Sequence, residues 1–294
     1  MYHIIINELR LKGKHLKDVE AVKSVFEKTG KEYTFHYTQK VGDAKRITQE
    51  ISSKGELCTV IAMGGDGTLH DVVNGVVDFE NTRVGLIPMG SGNDFAAAVN
   101  IPRNAKTAAE LIAFKAARPI DFIQLSSGLR SINAIGMGID VDVLRRTYGG
   151  KATGKGKYLK AFIVSLAKFK SVNFTVKYED KEEKHFGLIA ALGNGKQIGG
   201  GIKVFPEAKV DDGYMDLIIV DYLTKFKTLI AFIKLMMGKI GKVKEAKQIR
   251  CKKASLILDE ENYTIQAEGE LYDNVPLEAE IVSNKLQFYY PDSN

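Results

Sequence analysis

Residues 63–75 read MGGDGTLHDVVNG, and this stretch decides how the rest of the chain is interpreted. Gly64, Gly65 and Gly67 surround Asp66, between an apolar run and a helical pattern. A glycine-rich turn between a strand and a helix lets backbone N–H groups approach phosphate oxygens. An acid at this position would repel a bare phosphate, so the pattern favours a phosphate group held through a divalent cation. The structural alternative is a glycine turn in which the acid caps the helix.

A second stretch, residues 88–94, reads PMGSGND and repeats the order of strand, glycine turn, acid and helix. Ligands of parallel sheets bind at the carboxyl ends of the strands, so two such loops on neighbouring strands are expected to face one crevice. Asn93 and Asp94 would open the second helix, although this pair is also an ordinary helix cap. Asp121, at the start of a later strand, is a candidate third carboxylate.

The pattern around these loops alternates strand-like and helical segments over roughly the first 125 residues. This alternation predicts a parallel α/β, Rossmann-like domain over residues 1–121. From residue 122 onward, short strand-like runs separated by Gly, Asp, Asn or Pro predict a β-sandwich. Two helices are expected to interrupt it, at residues 158–170 and 225–247.

The composition is that of a soluble globular protein of two domains, with 294 residues, 45% hydrophobic residues and a net charge of +6. The positive charge suits nucleotide phosphates, nucleic acid or an acidic membrane face. We find no aromatic platform or recognition-helix motif, so nucleic acid is not expected as a partner. Cys58 and Cys251 lie in or beside apolar runs, so both are expected to be buried and reduced. No segment approaches the roughly 18 apolar residues of a membrane span.

Other polar clusters are less specific. Residues 206–216, PEAKVDDGYMD, fit a hairpin turn and a cation site about equally well. Glu268 and Glu270 flank Gly269 at an apparent strand end, where paired carboxylates could supply a general base, although an exposed strand end is favoured. His70 is expected on the surface of its helix. The lysine-rich helix at residues 225–247 favours core packing over a membrane-surface patch.

Taken together, the motifs identify a resemblance to bacterial diacylglycerol kinases and related lipid kinases, which share a fold superfamily with NAD kinases. The stretches that carry the resemblance occur in the family's order over nearly the whole chain: GGDGTLHDVVNG, PMGSGNDFA, NAIGMGIDVDV, GNGKQIGGGIKVFPEAKVDDGYMDLIIV and EGE. Two departures are present. Residues 7–14 read NELRLKGK where the family has NPxSGxGK, and Glu268 stands where the family has Asp before Gly-Glu.

The resemblance implies a nucleotide domain at residues 1–121, a lipid-substrate sandwich at residues 122–283, and a last strand at about 284–294 that returns to the first domain. Glu270 would be the base that takes the substrate hydroxyl proton, with Asp66 and Asp94 also catalytic. The residues implied to line ATP are Thr38, Gly64, Gly65, Asp66, Gly67, Thr68, Leu69, His70, Ser91 and Asn93. The residues implied to surround magnesium are Asp66, Asp94 and Asp121 at the catalytic site, and Lys209, Asp212 and Tyr214 at a structural site.

The function implied by the resemblance is an ATP- and Mg²⁺-dependent lipid kinase that converts diacylglycerol to phosphatidic acid. It would act in the cytoplasm, peripherally on the inner, anionic membrane face. Two alternatives stay open at this stage: an NAD kinase-like enzyme that acts on a small molecule, and a nucleotide-binding regulator whose catalysis has weakened. The sequence does not choose the lipid acceptor or the oligomeric state, and a homodimer is compatible with it.

Overall fold

The structure, a computed structural model, describes residues 1–8, 11–147 and 155–292, with side chains for all of these except residues 155–159 and 167. Leu9 and Arg10 of the NELRLKGK stretch lie outside the described residues. The chain divides into two compact units. The first unit comprises Met1–Ile120 together with Asn284–Asn294, and the second comprises Asp121–Ser283.

The first unit alternates strands and helices as the sequence predicts. In chain order they are β1 (Tyr2–Asn7), α1 (Lys14–Thr29), β2 (Tyr33–Thr38), α2 (Asp43–Ser52), β3 (Cys58–Gly64), α3 (Asp66–Gly75), β4 (Thr82–Pro88), α4 (Asp94–Ala98) and α5 (Ala105–Phe114). Strand β5 (Arg118–Leu125) leads from the first unit into the second.

The second unit consists mainly of strands. In chain order it continues with β6 (Arg130–Ser131), β7 (Ala134–Gly138), α6 (Ile139–Thr147), α7 (Lys155–Lys168), β8 (Val172–Tyr178), β9 (Lys181–Gly193), β10 (Met215–Asp221), α8 (Lys225–Met236), a short 3₁₀ helix (Ile240–Lys242), β11 (Ala246–Cys251), β12 (Lys253–Leu258), β13 (Thr264–Ala267), β14 (Glu270–Asp273) and β15 (Leu277–Phe288). The end of β15 belongs to the first unit.

The sheet of the first unit is parallel, in the order β2–β1–β3–β4. Every residue of β3 is buried, which fits a strand covered by helices on both faces. The register pairs Asn7 with Thr38 and Gly64 with Pro88, so the carboxyl ends of these strands form one edge. Phe288 of β15 pairs in parallel with Val84 of β4. The predicted α/β architecture is therefore confirmed.

The second unit is a β-sandwich-like domain built on antiparallel pairs, as the sequence predicts. Strand β9 pairs with β7, β8 and β10, and its alternating inward residues help to form an apolar core. On the other side, residues of α7 and α8 pack into a second apolar cluster, where the rings of Phe162 and Phe232 stack with centroids 3.6 Å apart.

In this unit one helix prediction needs correction, and one observed helix was missed. The helix expected at residues 225–247 ends at Met236, where Gly238 adopts a φ of 68° just beyond the C-cap, and Ala246–Cys251 forms β11, which pairs with β10. Helix α6 was not predicted, since its sequence IDVDVLRRT follows a glycine-rich strand without a clear cap. Its buried residues Ile139, Val141 and Leu144 nevertheless give it an apolar side.

The two cysteines are buried and free, which confirms the expectation. Burial raises the pKa of both thiols, to about 12 for Cys251. Within the described ranges, no helix combines the length and the apolar character needed to cross a membrane.

Candidate active site

The two glycine loops, residues 64–67 and 88–94, lie against each other at the carboxyl edge of the parallel sheet. The N–H of Met89 donates to the carbonyl of Gly64 at 2.7 Å. A Cβ on Gly90 would stand only 2.6 Å from the Cα of Gly65. Because nothing larger than hydrogen fits there without moving the backbone, Gly90 is required for the two loops to approach so closely.

Asn93 braces the second glycine loop from within. Its side-chain Oδ1 accepts the N–H of Gly90 at 3.0 Å, and its Nδ2 donates to the carbonyl of Gly90 at 2.8 Å. Both ends of the amide are therefore used by the loop itself. Ser91, at the tip of the same loop, is exposed and available to a ligand.

The acid of the first loop is directed at the second. Oδ1 of Asp66 lies 3.5 Å from the N–H of Phe95, at the start of α4, and Asp94 is buried beside it in the same helix. Burial of the carboxyl, and then the negative charge of Asp94, raise the pKa of Asp66 to about 6, although backbone N–H groups from residues 93–95 partly offset this. Two carboxylates that destabilise each other in this way would be relieved by a cation between them.

Helix α3 carries three further residues that the resemblance assigned to the nucleotide. The side chain of Thr68 packs over Gly64, whose added Cβ would lie 2.6 Å from the Thr68 Cβ. Leu69 and His70 are both buried in the interior of the unit. The expectation that His70 lies on the helix surface is wrong, because α3 packs against α2 on that side. Burial, with a smaller effect from Lys45, lowers the pKa of His70 to about 4, so the imidazole is neutral.

Thr38 ends strand β2 at the same edge of the sheet as the glycine loops. It is buried, and its Oγ1 lies 3.5 Å from the carbonyl of Ile6 on the neighbouring strand. Nearby, Asp43 accepts hydrogen bonds from the backbone N–H groups of Gln39 and Lys40 and so fixes the turn that follows Thr38. These bonds are the largest cause that lowers the pKa of Asp43.

Asp121 is completely buried in the second unit, and both its carboxylate and its carbonyl accept hydrogen bonds. Its Oδ2 accepts the N–H of Gly213 at 2.6 Å, and its carbonyl accepts Nδ2 of Asn194 at 2.9 Å. Asn194 was not among the predicted site residues. In the sequence, Asn194 is marked only by its position between two glycines in GNGK, and this pattern does not indicate a role for the Asn194 side chain.

The predicted structural magnesium site centres on Asp212. Its Oδ2 lies 2.6 Å from Nη2 of Arg250, and its Oδ1 accepts the N–H of Tyr214 at 3.2 Å. The same guanidinium lies over the Tyr214 ring, 4.6 Å from its centroid, while Lys209 is exposed. Each carboxylate oxygen therefore already has one partner, and a metal at this position would share the Asp212 carboxylate with Arg250.

The EGE motif forms the hairpin turn between β13 and β14. Glu268 and Gly269 adopt φ angles of 55° and 82°, and Glu270 opens β14 opposite Ala267. The Glu268 carboxylate accepts the hydroxyl of Ser131 and, at 2.7 Å, the N–H of Asn133. Glu268 thus fixes the turn, whereas Glu270 is exposed. The contacts from Ser131 and Asn133 have no signal in the sequence, since these residues lie more than 130 positions away.

A further buried acid lies beside this hairpin in the second unit. Oδ2 of Asp140, in the first turn of α6, is buried and makes no well-formed hydrogen bond among the described residues, although the Gln266 side chain lies close enough to lower the pKa of this carboxyl somewhat. A Cβ on Gly136 would meet this oxygen at 2.2 Å, and Gly136 pairs with Gln266 of β13. Burial raises the pKa of Asp140 to about 7, although the N–H of Val141, which donates to Oδ1, partly offsets the effect.

No group of three or more His, Cys, Asp or Glu side chains that could hold a metal occurs in the part of the chain that the structure describes. The Asp66–Asp94 pair still fits Mg²⁺, because this ion is usually bound by one or two carboxylates together with phosphate and water oxygens. The pair also lies where backbone N–H groups at the start of α3 and α4 favour anions.

Two stretches of this chain match known protein families. Residues 1–125 match the family described as the diacylglycerol kinase catalytic domain. Residues 133–290 match the YegS C-terminal NAD kinase beta sandwich-like domain.

Two relatives illustrate the similarity. A Xanthomonas oryzae protein described as "Probable lipid kinase YegS-like" is 32% identical over 232 residues, which cover 73% of each chain. A Staphylococcus epidermidis protein described as a diacylglycerol kinase is 34% identical over 199 residues, covering 66% of this chain and 62% of its own.

Solved structures show the same fold. A Bacillus anthracis chain described as a diacylglycerol kinase has a TM-score of 0.75 and 20% identity, covering 99% of this chain and 96% of its own. An Archaeoglobus fulgidus NAD kinase in complex with ATP has a TM-score of 0.53 and 12% identity, covering 98% and 93%.

Proposed function

This chain belongs to the lipid kinase family that joins a diacylglycerol kinase catalytic domain to a YegS-type sandwich, and we propose that it transfers the γ-phosphoryl group of ATP to the hydroxyl of diacylglycerol. The product would be phosphatidic acid. The observation that carries the proposal is the close contact of the two glycine loops, with Asp66 directed from one at the first turn of the other.

The glycine loops would bind the triphosphate. Their backbone N–H groups and the N-termini of α3 and α4 offer donors and a positive dipole end to phosphate oxygens. Asn93, by holding Gly90, keeps this cradle in shape before the nucleotide arrives. Ser91, exposed at the tip, would donate its hydroxyl to a phosphate oxygen.

Asp66 and Asp94 would hold Mg²⁺, which neutralises phosphate charge when bound. The raised pKa of Asp66 supports this role, because an ionised pair without a counterion is unfavourable. Asp121 is the third acid that the resemblance assigns to this network, through water. Its carboxylate already accepts the N–H of Gly213, so it would act as a fixed negative charge.

Glu270 would take the proton of the lipid hydroxyl as its oxygen attacks the γ-phosphorus. The new O–P bond forms while the bond between the γ-phosphorus and the bridging oxygen breaks, and ADP leaves. Its exposure at the start of a strand leaves the carboxylate accessible to an acceptor. Glu268 would hold the hairpin so that Glu270 keeps one orientation.

The acceptor is a lipid, so the enzyme would work at a membrane surface, peripherally and on the cytoplasmic face where ATP is present. The net charge of +6 supports attraction to anionic lipids. The predicted structural magnesium at Lys209, Asp212 and Tyr214 is a weaker part of the proposal, because Arg250 already neutralises Asp212.

The test is transfer of radiolabelled γ-phosphate to a panel of lipid alcohols in mixed micelles, with Mg²⁺ or with a chelator. We expect label in phosphatidic acid only when the metal is present. Label in NADP from NAD, without lipid, would replace the proposal with an NAD kinase activity. Tight ATP binding without transfer to any acceptor would indicate a regulator instead.

A further inference from the structure

Helix α8 exposes a continuous apolar face. Five large apolar side chains, on the helix and its C-cap, are between 38% and 73% exposed. They are Phe226, Leu229, Ile230, Ile233 and Met237. Their spacing of three or four residues places them on one side of the helix. We call this set the α8 apolar face.

The opposite side of α8 packs against the apolar core of the second unit. Thr228, Ala231 and Phe232 are buried, and Phe232 stacks on Phe162 of α7. The helix is thus held in place by one apolar side while it presents another to the surroundings. An exposed patch of this kind marks an interaction site in soluble proteins. Core packing, which the sequence favoured for this helix, accounts for only one of its two apolar sides.

The segment that carries this face is strongly positive. Residues 225–247 contain seven lysines and a single acid, Glu245, so their net charge of +6 equals that of the whole chain. The remainder of the chain therefore has equal numbers of basic and acidic residues. Glu245 forms an ion pair with Lys227, with 3.2 Å between Oε1 and Nζ. Lys239, Lys242 and Lys244 are exposed just beyond the helix.

We propose that the α8 apolar face and the lysines of residues 225–247 dock this protein on an anionic lipid bilayer, with α8 lying in the plane of the interface. The inference rests on the proposed function, since a diacylglycerol acceptor resides in a bilayer. Apolar side chains would enter the acyl boundary, and lysine stems would extend to the phosphate headgroups. Attraction to anionic lipids adds to apolar burial in such helices.

A second copy of this chain fits the face less well. A two-fold dimer would place the same patch against itself, and so bring two segments of net charge +6 together. Like charges facing each other across an interface are unfavourable. An anionic lipid surface is complementary both to the lysines and to the apolar side chains.

The first test is cosedimentation of the full chain with vesicles of phosphatidylcholine alone or mixed with phosphatidylglycerol. We expect binding to the mixed vesicles, weakened by added salt. Phe226→Glu and Ile233→Glu should each lower this binding about tenfold or more, because each removes an inserted apolar group and adds repulsion. Phe114→Glu, which changes an equally exposed phenylalanine in the first unit, is the matched control and should bind like the unaltered chain.

A second comparison reverses charge without touching the apolar face. Lys239→Glu combined with Lys242→Glu should lower binding to phosphatidylglycerol vesicles and flatten its salt dependence. Thermal unfolding of every variant establishes that it is folded. Unchanged vesicle binding by folded Phe226→Glu and Ile233→Glu overturns the proposal. So does a dimer that Ile233→Glu dissociates while vesicle binding stays intact.

Failure of this inference is distinguishable from failure of the proposed function. With a short-chain diacylglycerol dissolved as monomers, Ile233→Glu should transfer phosphate as fast as the unaltered chain, and it should lose activity only on vesicles. Activity of Ile233→Glu on vesicles equal to that of the unaltered chain overturns the docking surface and leaves lipid phosphorylation standing. Specific vesicle binding without phosphate transfer to any lipid leaves the docking surface and overturns the kinase proposal.

Discussion

The glycine loops of the first unit and the acidic hairpin of the second are built in different ways. The loops are shaped by contacts to their own backbones, namely the approach of Gly90 to Gly65 and the bonds of the Asn93 side chain to the backbone of Gly90. The hairpin at Glu268 is held by side-chain bonds to residues 131 and 133, far away in the chain. A close backbone approach that requires glycine leaves a motif in the sequence. A side-chain bond between distant residues leaves only two ordinary residues.

The largest expected effect separates the two regions. Glu270→Gln removes the proposed base from the hairpin and leaves the glycine loops intact. We expect kcat to fall by about 10²–10⁴-fold while ATP affinity stays unchanged. Steady-state kinetics and ATP titration calorimetry measure the two quantities. Glu261→Gln, an exposed acid in the loop before β13, is the control, and undiminished turnover by Glu270→Gln would remove Glu270 from the mechanism.

The reverse experiment disturbs the loops alone. Gly90→Ala places a methyl group 2.6 Å from the Cα of Gly65, so the loops must separate. We expect ATP affinity to fall about 10- to 100-fold, because phosphate donors shift from their positions. Gly241→Ala is the matched control, since its methyl would meet only Gln248 Oε1 at 3.6 Å. ATP affinity equal to that of the unaltered chain would show that the close approach of the loops is unimportant for the nucleotide.

A smaller effect tests whether the hairpin needs its distant anchor. Glu268→Ala leaves the N–H of Asn133 without its acceptor, and we expect kcat to fall about tenfold with the KM for ATP unchanged. Glu268→Gln retains an acceptor of the same length and should recover most of the turnover. If both variants turn over alike, the bonds to Ser131 and Asn133 do not position Glu270.

The remaining effect concerns stability beside the hairpin. The pKa of Asp140 is raised from 3.8 to about 7 in the folded protein, so its ionisation opposes folding at higher pH. The penalty is complete above pH 7 and disappears as the pH falls toward 4. Asp140→Asn should therefore raise the free energy of unfolding by about 4 kcal/mol at pH 8 and not at pH 4. Urea unfolding at both pH values measures it, with exposed Asp180→Asn as control; a pH-independent difference would contradict the assignment.

The sequence predicted the parts of the fold and site that depend on local patterns. Alternating elements predicted the parallel sheet, and the spacing of glycines predicted loops at strand ends. The sequence-based predictions failed where tertiary packing determines burial or secondary structure. His70 is buried because α2 covers it, and residues 246–251 form a strand because β10 offers a pairing partner. The sequence also did not predict the exposed side of α8, because an apolar helical pattern does not tell which of two sides packs on the core.

The return of β15 to the first unit affects how the chain matures. Phe288 is completely buried, meets Phe95 edge to face at 5.3 Å, and pairs with Val84, a residue about two hundred positions earlier. During synthesis, α4 therefore lacks its contact with Phe288 until the second unit has been translated. The first unit is therefore completed last, and a nascent chain that stops before β15 would lack the strand partner of β4 and the ring that packs on α4, the helix that follows one of the loops proposed to bind the nucleotide.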